Sequence, residues 1–103
     1  MTSQGSAGTR FQRSIQARNV FLAETAAFEM GTLSLEDALQ LVVLYAEAED
    51  DKFDKAAVRW LGRLLLERPM TLAVVAHSVE LISQLRGPAA GWSAGALETL
   101  ARQ

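Results

Sequence analysis

The chain has no cysteine, one histidine and two prolines in 103 residues. The first absence excludes disulfides, thiol nucleophiles and thiolate metal sites. The lone histidine, His77, has Glu80 three residues on, and zinc sites take more ligands than that pair supplies. A histidine acting as general base needs a nucleophile and an orienting partner, and the sequence sets none beside it. His77 therefore reads as a solvated side chain on the polar edge of a helix, paired with Glu80. No apolar run approaches the ~20 residues that span a bilayer. No segment alternates apolar and polar residues for long enough to argue for a strand. A glycine-rich phosphate loop and the tight glycine turn of a helix-turn-helix reader are both missing.

Charge of one sign is missing too. Ten basic and twelve acidic side chains leave a net charge of −2, so no global field draws the chain to nucleic acid or membrane, and such binding would need a local patch. The N-terminal MTSQGSAGT lacks the basic start and apolar centre of a secretory signal. Residues 1–9 are expected to form a disordered tail before a single α-helical domain over residues 10–103, in a cytoplasmic protein.

What is present is apolar and helix-favouring. Half the residues are hydrophobic and 21 % are charged, the profile of a globular domain. Ala, Leu, Glu, Gln and Arg fill the stretches between breaks, and the fold expected is all-α: five or six short antiparallel helices in a bundle or a stack of αα-hairpins. The first helical region runs from about Arg10 to Met30, with Phe11, Ile15, Leu22 and Ala26 on one face and Phe21 and Phe28 flanking it. Ala17-Arg18-Asn19 either divides it, with Asn19 taking left-handed geometry, or is passed through by one continuous helix. Gly31 is a C-terminal cap. Ser34 caps the next helix, which reaches about Ala48 and is apolar nearly all round. Another runs to about Arg68 with Phe53, Ala57, Trp60, Leu61, Leu64 and Leu65 on its inner face. Pro69 ends it, and Thr71 caps the helix that follows, to Leu85. Ser93 is read as the cap of a last short helix, with Trp92 and Leu97 as a hydrophobic staple. The aromatic residues Phe21, Phe28, Tyr45, Phe53 and Trp60 are assigned to the core.

Asp50-Asp51-Lys52-Phe53-Asp54 has the look of the magnesium-binding aspartate motif of isoprenoid synthases. That chemistry needs a large cavity with facing carboxylates and basic diphosphate ligands, and six helices of this length leave no such volume once the core is filled. The aspartates read instead as a helix start: one caps the backbone and the others occupy the favourable first turn. Lys52, Lys55, Arg59 and Arg63 follow at spacings of three, four and four, forming one basic stripe along a helix. Such a row could meet phosphates or an acidic partner.

Two resemblances attach to these residues. Paired helices of about a dozen residues, with a turn at Asn19 and small Ala26, Ala27, Ala56 and Ala57, resemble tetratricopeptide-type hairpins, which implies a partner-binding scaffold; no fixed repeat period accompanies them. The stretches RFQRSIQARNVFLAETAAFEMGTLSLEDALQLVVLYAE and FDKAAVRWLGRLLLE are similar to small Ala/Leu/Arg-rich helical proteins of high-GC bacteria that carry no assigned function. The reading that results is a non-catalytic protein–protein interaction module, without cofactor or metal, whose partner is another protein or a second copy of itself. The alternative is a nucleic-acid accessory protein binding phosphates through the basic stripe.

Overall fold

A computed structural model describes residues 6–103. Six α-helices follow one another: α1 (Ala7–Gln16), α2 (Val20–Met30), α3 (Leu35–Glu47), α4 (Phe53–Glu67), α5 (Leu72–Ser83) and α6 (Ala90–Arg102), with a 3₁₀ turn at Gln84–Arg86 between the last two. The described residues contain no strand, and the fold is an all-α bundle.

Local chemistry sets most of the boundaries. The hydroxyl of Ser34 accepts from the Asp37 N–H at 3.0 Å, with Glu36 and Asp37 in the favourable first turn. Thr71 does the same for α5 through the Val74 N–H. Gly31 closes α2 at a φ of 80°, a value that glycine adopts without strain. Of the expected N-terminal tail, residues 1–5 lie outside the described residues. The remainder is helical, because Ser6 caps a turn that begins before Arg10 by accepting from the Thr9 N–H.

Other boundaries differ from expectation, and α5 gives way to the 3₁₀ turn after Ser83, ahead of Leu85. The region 10–30 is two helices, but the left-handed residue is Arg18, at φ 57°, and not Asn19. Asn19 is extended and caps α2 through the Leu22 N–H. The Asn19 N–H reaches the Ser14 carbonyl and the Arg18 N–H the Ile15 carbonyl, the paired bonds of a Schellman ending. The end of α3 repeats this arrangement, with Glu49 at φ 52° and Asp50 bonded back to Tyr45. Likewise α6 starts at Ala90, ahead of Ser93. Ser93 is fully buried inside that helix and donates to the Gln84 side chain at 3.1 Å, while Trp92 points to solvent, so neither the cap nor the staple forms.

Packing divides the molecule, 47 × 28 × 21 Å overall, into two cores that share α3. The larger joins α3 to α4, α5 and α6 through Leu39, Val42, Phe53, Trp60, Leu64, Leu81 and Leu97. Within it the buried indole N–H of Trp60 donates to the Leu35 carbonyl at 2.8 Å. The smaller core is made by Phe11, Ala23 and Ala26 of the α1–α2 hairpin against Leu44, with Leu41 and Leu33 alongside. The apolar circumference of α3 is thus used on two sides. The similarly apolar α5 buries only Ser78 and Leu81 and leaves Leu72 and Val79 in water.

A candidate interaction surface

The α3–α4 connection holds a polar cluster. Asp50 does not cap α4 directly. Its carboxylate accepts from the Lys52 N–H at 2.9 Å, its carbonyl accepts from the Phe53 N–H, and Lys52 occupies the cap position without a side-chain bond. That backbone bond holds the Asp50 carboxyl below its usual pKa, and Lys52 nearby acts in the same direction. Asp54 lies in the first turn of α4. Among the described residues no three His, Asp or Glu side chains gather as a metal ion would need.

Lys52 turns toward its own protein. Its ammonium is 3.2 Å from Glu24 on α2 and 3.6 Å from Asp50, and it stands over the Tyr45 ring. The Tyr45 hydroxyl donates to the same Glu24 carboxylate at 2.6 Å. Burial, reinforced by Glu24, raises the Tyr45 pKa well above its ordinary value, and the bond to Glu24 raises that of Lys52. These residues tie the hairpin to the rest of the bundle.

Of the four stripe residues, Lys55, Arg59 and Arg63 lie within α4 and Lys52 is the residue before its first turn, and their circumstances differ. Lys52 is engaged with Glu24, and Arg63 with Glu67 at 2.8 Å. Lys55 and Arg59 form no ion pair among the described residues. Arg59 and Arg63 overhang an open groove of about 380 Å³ whose floor is Leu41, Val42, Tyr45 and Trp60. His77 and Glu80 are both exposed, and no ion pair links them.

Not every residue given an inward place on sequence is buried. Leu65, expected on the inner face of α4, is 41 % exposed at the edge of that face. On α2, Phe21 is 73 % exposed, Phe28 88 % and Leu22 50 %, while Ala23 and Ala26 turn inward. The reason on α2 is the turn at 17–19. It reverses the chain between α1 and α2, so a helical face carried from Phe11 through Leu22 does not survive it. A second uncovered apolar face runs along α4 and α5, where Val58 and Val79 edge a groove floored by Ala57, Leu61 and Ile82.

The chain matches no protein-family model, no curated protein and no solved structure. The signal that would have found the α2 face in the sequence is the seven-residue spacing of Phe21 and Phe28, which puts both rings on one side of the helix, away from Ala23 and Ala26. Among the described residues no helix is long and apolar enough to cross a membrane.

Proposed function

We propose that this chain is a non-catalytic protein–protein interaction module that associates with a second copy of itself through an uncovered apolar helix face. The supporting observation is the inversion of α2, which buries alanines and holds two phenylalanines and a leucine in water. Fully covering an exposed side chain of this size gains about 1.5–3 kcal/mol, less for the half-covered Leu22, so leaving these three in water in a domain of marginal stability favours association. Phosphate binding along the α4 stripe has less support, because Lys52 and Arg63 are already engaged by Glu24 and Glu67. Sedimentation equilibrium between about 1 and 200 µM tests the proposal, a range that brackets the micromolar affinity of small interfaces. The mass is expected to rise from monomer toward an oligomer, and a constant monomer mass would refute it.

A further inference from the structure

Resting on that reading, we infer that the self-association surface is α2, packed antiparallel on α2 of a second copy about a two-fold axis that passes beside Thr25. Residues three and four apart are neighbours on a helix surface. The exposed Thr25 is accordingly ringed by Phe21, Leu22, Phe28 and Glu29. Its hydroxyl already donates to the Phe21 carbonyl at 3.0 Å, so it needs no partner across an interface. The two rings lie seven residues apart, about 10.5 Å along the axis. A two-fold midway between them sets Phe21 of each copy against Phe28 of the other, the self-matching that an isologous contact requires.

Charge and area both favour a second copy over a different partner. The two carboxylates bordering the patch are satisfied within the chain, Glu29 by Arg10 and Glu24 by Tyr45 and Lys52. Two copies therefore meet without unpaired like charges, and a charged partner would find nothing to pair with. An aromatic side chain can bury 150–250 Å², so at their observed exposures the three apolar residues offer roughly 400 Å² per copy. A standard interface buries about 800 Å² per partner, a little over half of it apolar. The patch is near the lower end of that class. On α4 and α5 the apolar residues are spread over two helices and lack this internal symmetry.

The test uses the full chain and charge complementation at the axis. Thr25→Glu and Thr25→Lys each place two like charges face to face, and each is expected to weaken dimerisation at least tenfold in sedimentation. Helicity by circular dichroism should be unchanged, since position 25 is exposed and both new residues favour helix. An equimolar mixture of the two variants is expected to recover the dimer mass. If either variant alone dimerises within threefold of the original chain, or if the mixture stays monomeric, the α2 assignment is overturned. A dimer indifferent to position 25 would overturn only this assignment and direct attention to Val58 and Val79. An original chain that never dimerises would remove the self-association proposal as well.

Discussion

Leu44→Ala should loosen the α1–α2 hairpin while leaving α3–α6 folded. Leu44 is 2 % exposed and is the single α3 residue at the centre of the smaller core, against Phe11, Ala23 and Ala26. Truncating a buried leucine costs 2–5 kcal/mol, and more where the surroundings cannot collapse into the gap. Here two of the neighbours are alanines on a rigid helix, so about 3 kcal/mol is expected. The other ties are polar, the Glu24 carboxylate bonded to Tyr45 and Lys52 among them, and none of them fills the gap that the leucine leaves. Arg18–Glu47 at 2.8 Å is an exposed ion pair, and such pairs contribute about 0–1 kcal/mol. The half-buried Gln12–Asp37 bond at 3.1 Å involves a carboxylate, and bonds to charged groups contribute about 1.5–3 kcal/mol. Hydrogen exchange followed by mass spectrometry is the assay. Amides of α1 and α2 should lose protection by roughly two orders of magnitude, since 1.4 kcal/mol is a factor of ten, while those of α4 and α6 change little. Uniform loss of protection across all six helices, or a cost below about 1 kcal/mol, would refute the two-core description.

Two other outcomes follow from the same structure. The Tyr45 pKa is raised in the fold from an ordinary value near 10, so the folded chain holds that proton more tightly than the unfolded one. The contribution is complete below pH 10 and declines as pH rises past it. Denaturant titrations should show stability falling above about pH 10, and Tyr45→Phe should flatten that decline while costing about 1.5–3 kcal/mol at neutral pH for the lost bond to Glu24. Glu49→Gly should raise stability by about 0.5–1 kcal/mol, because left-handed geometry costs a non-glycine residue about 1–2 kcal/mol and the greater freedom of unfolded glycine returns part of it. An unchanged or lowered melting temperature would contradict the strain assigned to φ 52°.

How much was legible in the sequence depended on how local the cause was. Ser34, Thr71 and Gly31 act within one turn of their own positions, and their roles were readable from residue type and neighbours. Ser93 has the same side chain, but its hydroxyl bonds to Gln84 on the preceding turn, and the helix begins ahead of it at Ala90. Arg18 and Glu49 take the left-handed place of a Schellman ending that is usually held by glycine, so residue type gave no sign of it. Lys55, Arg59 and Arg63 lie within α4 and Lys52 just ahead of it, yet the engagement of Lys52 depended on Glu24, twenty-eight residues before it. The α2 face was misassigned for a similar reason. Periodicity identifies an apolar side, but not which of two sides a neighbouring helix covers.

The two tryptophans of this chain inhabit opposite environments. Trp60 lies under the bundle with its indole bonded to a backbone carbonyl, whereas Trp92 stands in solvent on α6. A dissolved quencher such as iodide can collide with one ring and not the other, so native emission divides into a red, quenchable component and a blue, shielded one. Replacing Trp92 with phenylalanine would leave a single fluorophore whose colour reports whether the larger core is closed.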